Sequence, residues 1–240
     1  NASTNTISVY LRTFRALFNK AINSDVVSYQ HYPFRAFKIK RESTVPRAIT
    51  IEELRRFFNL DVKPNCYLYE SWLLGKLMFM LIGINFKDLI FLELKNVENG
   101  RLIYKRSKTK RVYSIKLLPE ALKIIKYFEA KNYTTLFGRI APQDLENKIK
   151  LTPLIRQRNK VFNSHLYRLG KCAEIERELT GYVFRYTWAN IAKQLGYSKD
   201  LIAEALGHNY GNKVTGVYLE SYDSYMVDCI NDRIIESLIL

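Results

Sequence analysis

Between Tyr67 and Ile82 the chain reads YLYESWLLGKLMFMLI, apolar on nearly every side of a helix. Such a helix has no face to give to water, so the rest of the fold has to be wrapped around it. The 240 residues supply enough chain to do so, and a hydrophobic fraction of 48% with 13% aromatic residues is that of a folded globular protein. The longest uninterrupted apolar run, Leu77 to Ile84, is far too short to span a bilayer, and no secretory leader is visible. These features predict a cytoplasmic chain with no membrane partner.

The other elements follow from spacing and punctuation. Residues 6 to 22 place Ile7, Tyr10, Leu11, Phe14, Leu17, Phe18 and Ala21 on one helical stripe, with Arg12, Arg15 and Lys20 off it. A helix under way this early in the chain predicts that further elements precede it. After Pro33 comes a basic stretch without helical period, and Glu42 to Pro46 is the linker candidate. Thr50 and Glu53 form a capping box for a helix through Phe58. A further helix is expected over Asp88 to Leu94. Arg101 to Lys105 and Val112 to Leu117 alternate as strands, joined by a basic tip, Arg106 to Arg111. Pro119 opens a helix through Phe128, and residues 131 to 150 read as irregular.

Residues 151 to 172 read as a helix with Leu154, Val161, Phe162, Leu166 and Leu169 turned inward. Helices follow over Tyr182 to Leu195, from the Ser198 cap to Gly207, and over Tyr225 to Leu240. The fold class is therefore mainly α with a small antiparallel β-sheet (α+β).

Charge narrows the partner. Lys and Arg number 38 against 23 Asp and Glu, a formal net charge of +15. An excess of this size favours a polyanion, because neutralised phosphates release condensed counterions. Cys66, Cys172 and Cys229 are widely separated and read as reduced, buried thiols. His31, His165 and His208 do not pair at ligand spacing, so no metal or other cofactor is expected.

Four segments carry chemistry: GINFKDL (Gly83 to Leu89), the SKTK tip with Lys108, YVFRYTWA (Tyr182 to Ala189), and LGHNYG with Tyr218 ten residues after His208. In these segments the chain resembles the tyrosine recombinases, the integrases of phages and other mobile elements. The resemblance divides the chain into the end of a helical, SAM-like core-binding domain, residues 1–45, and a catalytic domain, residues 46–240. It implies a DNA-breaking and rejoining enzyme of bacterial, nucleoid-associated location. Tyr218 would be the nucleophile, Arg185 the family's second arginine, His208 a donor to a phosphate oxygen and Lys108 the general acid.

The chemistry asks for such residues. Transfer of a phosphodiester to a tyrosine oxygen builds negative charge on non-bridging oxygens, which fixed cations and donors stabilise. A guanidinium donates two parallel bonds to a phosphate. A tyrosine hydroxyl needs positive charge nearby to act as a nucleophile at neutral pH. For His208 the plain alternative is capping of its helix, and for Lys108 a simple backbone contact.

The sequence departs from the family at two positions. Asn85 stands where the family has its first arginine, and Tyr182 where it has a histidine three residues before the second. Both side chains can donate a hydrogen bond, but neither supplies charge. Another cation such as Lys87 is one way to compensate, and a DNA-binding protein that has lost strand cleavage is the alternative reading. The expected partner is double-stranded DNA, contacted by Arg12, Arg15, Lys20, Arg35, Lys38, Lys40, Arg47, Lys105, Arg106, Lys110 and Arg111. Self-association as a tetramer on DNA is expected, with helix 225–240 packing either on a neighbouring protomer or on its own domain.

Overall fold

The computed structural model describes residues 2–43, 47–146, 148–208 and 224–239. Internal contacts divide the chain into two compact units, Asn1–Pro46 and Arg47–Leu240. Among the described residues no helix is long and apolar enough to cross a membrane.

In the first unit α1 (Thr4–Asn23) starts at Ser3, whose hydroxyl accepts from the Thr6 N–H. The segment after the short 3-10 turn Tyr29–His31 runs back along it. Thr4 and Asn5 bond to Glu42 at 2.7 to 3.2 Å, and Phe14 and Phe18 meet Phe34 and Tyr32 edge-on or tilted. The α1 stripe is covered less than its spacing predicts. Ile7, Tyr10, Phe14 and Leu17 remain exposed, because this unit offers only the returning segment as cover.

The second unit is built around α3 (Tyr69–Met80), as the all-round apolar sequence requires. Nine of its residues from Ser71 to Met80 are buried. It packs against α5 (Pro119–Glu129), α7 (Lys148–Cys172) and α8 (Gly181–Gln194). The capping box of α2 (Ile51–Phe58) is formed in both directions. Phe57, Phe79, Phe128, Phe137, Phe184 and Trp188 are the fully buried aromatic side chains of this unit among the described residues. α4 (Phe86–Ile90) stops short of the expected helix, and a 3-10 turn, Leu94–Asn96, follows.

The sheet is antiparallel in the order β1 (Val97–Glu98), β2 (Arg101–Lys105), β3 (Val112–Lys116), with Tyr104 opposite Tyr113. β1 went unseen because two residues carry no period. The stretch read as irregular contains α6 (Pro142–Glu146) and the first turn of α7. Val161 is 45% exposed rather than inward: the helix turns 100° per residue, and the buried face passes through its neighbour Phe162.

α9 (Lys199–Ala205) starts at the Ser198 cap, and α10 (Ser224–Ile239) closes the chain. α10 packs on its own unit, against α2, α8, α9 and β3. Ile230 and Ile234 are fully buried. Asn231 accepts from the Trp188 indole N–H at 2.8 Å and donates to the Met80 carbonyl at 2.9 Å. The Asp228 carboxylate takes both Arg101 terminal nitrogens, at 2.7 and 3.1 Å. The expectation of buried thiols does not hold: Cys172 and Cys229 lie on exposed helix faces and Cys66 is half-buried.

Candidate active site

Arg185 comes one residue after the buried Phe184 in α8, and its side chain turns toward the end of α3 rather than to solvent. It is only 6% exposed. Nη1 donates to the Gly83 carbonyl at 3.1 Å, and Nη2 bonds the Leu206 carbonyl and lies 3.4 Å from His208 Nε2. Gly83 is needed there: its φ is +63°, and a Cβ would collide with the backbone of Arg185. Burial first, then the nearby Arg106 cation, depress the affinity of Arg185 for its proton. Among the described residues no carboxylate pairs with this guanidinium.

His208 leaves α9 through Gly207, in the left-handed region at φ +61°. Its N–H donates to the Ala203 carbonyl at 2.8 Å, which satisfies a helix-end acceptor. A side chain at Gly207 would strike the Tyr113 hydroxyl. The imidazole is held below its usual proton affinity by burial, then by the charges of Arg185, Arg106 and Lys108. The capping bond is thus made by the His208 backbone and not by its ring.

The β2–β3 hairpin approaches the same place. Leu102, Tyr104 and Arg106 share the inward parity of β2. Tyr104 and Tyr113 stack at 5.2 Å, and burial, Tyr113 and Asp88 raise the Tyr104 pKa far above its usual value. Arg106, expected among the surface contacts of the tip, is instead 7% exposed. Its Nη1 is 3.3 Å from the Tyr113 hydroxyl, 3.2 Å from the Leu206 carbonyl and 3.5 Å from that of Gly207. The buried Asp88 accepts from the Ser107 N–H at 2.9 Å, tying the tip to α4. Lys108 is exposed at the turn, close enough to influence His208.

Asn85 and Tyr182 meet at an open groove of about 570 Å³ whose lining also includes Lys108, Arg47, Arg156 and Asn159. Asn85 is the half-buried N-cap of α4 and makes no side-chain cap bond. Tyr182 is 46% exposed and packs edge-on against Tyr186 at 5.1 Å. Lys87, beside Asn85, is exposed. Tyr218 lies outside the described residues.

The remaining basic candidates separate by environment. Arg12, Arg15, Arg35 and Lys38 line one basin of the first unit together with Arg41. Lys20, Lys40, Lys105 and Lys110 are exposed. Arg111 is bonded to the buried Glu204 carboxylate, so its charge is already paired. Among the described residues no group of three His, Cys, Asp or Glu side chains is placed to hold a metal.

Comparison with known proteins bears on the fold. The family model of the phage integrase SAM-like domain matches residues 1–40. The structure of a lambda integrase dimer bound to a COC′ core site aligns with a TM-score of 0.61 at 14% identity, over 92% of this chain and 76% of that one. This is the tyrosine-recombinase fold. The integrase of mycobacterium phage Brujita aligns at 0.52 and 14% identity over 99% of this chain and 73% of that one. The Tn1549 transposon integrase, solved with circular-intermediate DNA, aligns at 0.54 and 14% identity over 95% and 80%. No curated protein matches the chain by sequence.

The Leu102, Tyr104, Arg106 alternation was available in the sequence of this recombinase fold, and it placed Arg106 inward. The basic residues around the tip hid it.

Proposed function

We propose that the chain is a site-specific DNA recombinase of the integrase type, with residues 1–45 as the end of its core-binding domain and 46–240 as its catalytic domain. The observation that carries this reading is Arg185, a buried guanidinium without a carboxylate partner among the described residues, beside His208 Nε2 at 3.4 Å. Burying such a charge is costly unless an anion completes the site. A DNA phosphate is that anion, and the basic surface of a chain with net charge +15 would gather it.

In this scheme the Tyr218 hydroxyl gives up its proton to water and its oxygen attacks the scissile phosphorus. The bond to the 5′ oxygen breaks, that oxygen takes a proton from Lys108, and a 3′-phosphotyrosyl bond remains. Arg185 and His208 hold the non-bridging oxygens, while Asn85 and Tyr182 donate from the groove without adding charge. A 5′-hydroxyl of a partner strand, passing its proton to the now neutral Lys108, then attacks the phosphorus, and the released tyrosine oxygen takes a proton from water. The covalent link conserves the phosphodiester energy, so no nucleotide is consumed. The lambda integrase solved on a core site and the Tn1549 integrase solved with circular-intermediate DNA support DNA as the partner, which this reading takes to be double-stranded. Assembly as a tetramer on that DNA belongs to the same proposal.

The test is covalent capture. Nicked duplexes with a randomised central segment are incubated with the protein and resolved under denaturing conditions. A sequence-selective protein–DNA adduct, absent in Tyr218→Phe, is expected. Binding to a selected duplex without any adduct would favour the alternative, a DNA-binding protein that has lost cleavage.

A further inference from the structure

Two buried guanidiniums converge on one oxygen. Arg185 Nη2 bonds the Leu206 carbonyl, and Arg106 Nη1 reaches the same atom at 3.2 Å. The Tyr113 hydroxyl also donates to it, at 2.8 Å. A carbonyl has two lone pairs, so three donors leave this acceptor oversubscribed. Among the described residues neither arginine has a carboxylate partner. Asp88, a buried acid that faces the same hairpin, spends Oδ1 on the Ser107 backbone. The charge of Arg106 makes Arg185 easier to deprotonate, as expected of two like charges in one desolvated place.

The hairpin holds Arg106 there. Its N–H donates to the Arg111 carbonyl and its own carbonyl accepts from the Lys110 N–H, both at 2.9 Å. That closes the turn at Arg106 and keeps its side chain on the inward parity of Leu102 and Tyr104. The expected charge at Asn85 is missing, and Lys87 is exposed. A second cation therefore stands beside Arg185, supplied from the turn that follows β2 rather than from α4.

We propose that Arg106 is the second guanidinium on the scissile phosphate and replaces the charge absent at Asn85. The assignment rests on the recombinase reading. Arg106 and Arg185 each direct donors to a non-bridging oxygen, and the phosphate relieves their mutual repulsion. Burial first, and then both arginines, depress the proton affinity of His208 beside them.

The test uses a duplex chosen by covalent capture, made with either a normal scissile phosphate or a methylphosphonate that lacks one charged oxygen. Arg106→Gln keeps hydrogen-bond donors toward Leu206 and loses the charge. On the phosphate substrate its adduct formation is expected to fall by about 10²- to 10³-fold with duplex binding retained. On the methylphosphonate the deficit should shrink to a few-fold, because less negative charge then has to be balanced. Equal impairment on both substrates, or cleavage at the wild-type rate on phosphate, overturns the assignment. Asn85→Arg combined with Arg106→Gln offers a second readout: recovery of cleavage supports the replacement, and a double variant no faster than Arg106→Gln counts against it. Wild-type protein on the same duplex reports the recombinase reading itself. Failure there removes both proposals, whereas a wild-type adduct with uniform Arg106→Gln damage removes only this one.

Discussion

Gly83 and Arg185, 102 positions apart, are in backbone-to-backbone contact. The carbonyl of Gly83 accepts the Arg185 guanidinium at 3.1 Å, and the absence of a Cβ lets α8 approach. Gly83→Ala introduces both a collision and a disfavoured positive φ. A loss of about 3 kcal/mol is expected, read from the urea unfolding midpoint. Cleavage should fall even where the variant remains folded, because Arg185 is displaced from the site. An unchanged midpoint would show that the backbone yields more readily than this contact implies.

Lys108 stands at the hairpin tip as the proposed general acid. Lys108→Ala is expected to slow cleavage of a normal phosphodiester by about 10²- to 10⁴-fold. A duplex with sulfur in place of the 5′ bridging oxygen has a leaving group that needs no proton, so the variant should cleave it nearly as fast as the wild type. A deficit of the same size on both substrates would reduce Lys108 to a backbone contact.

Two histidines make stability depend on pH. In the folded chain His208 and His165 both have lowered proton affinity: burial is the first cause for each, followed by Arg185 for His208 and Arg139 for His165. The unfolded chain binds these protons at about pH 6.5 while the folded chain still resists them. Stability is therefore full above that pH and declines as pH falls toward the folded values. His208→Gln should flatten the decline measured by urea unfolding across this range, and an unaltered slope would assign it to other groups.

Asn231 joins the Trp188 indole to the Met80 carbonyl through two bonds of 2.8 and 2.9 Å. Asn231→Ala strands both partners in the core, for an expected loss of about 3 kcal/mol. Because α10 is seated on its own unit, the loss should not depend on protein concentration. A concentration-dependent melting temperature would instead indicate that the helix is shared between chains.

The sequence made much of this fold legible, for physical reasons. Capping at Thr50 and Ser198, the break at Gly83 and the alternation of β2 and β3 are local signals, and each element forms where its signal lies. Elements whose cause is tertiary were harder to see. β1 exists only by pairing with β2, and the exposure of Leu17 or Cys229 depends on what packs nearby. In the candidate site, Arg185 and His208 were visible as motif positions. Arg106 was hidden because its neighbours share its charge but not its direction.

The Leu206 oxygen has a consequence for how this site can change. Tyr113, Arg106 and Arg185 come from a strand, a turn and a helix, yet all three donate to that one atom. Replacing any one of them frees the others to redistribute their bonds, so the effects of paired substitutions here should not add. The three positions form one epistatic unit. A lineage could move a cation between them without rebuilding the scaffold, since what is held fixed is a point in space rather than a place in the chain.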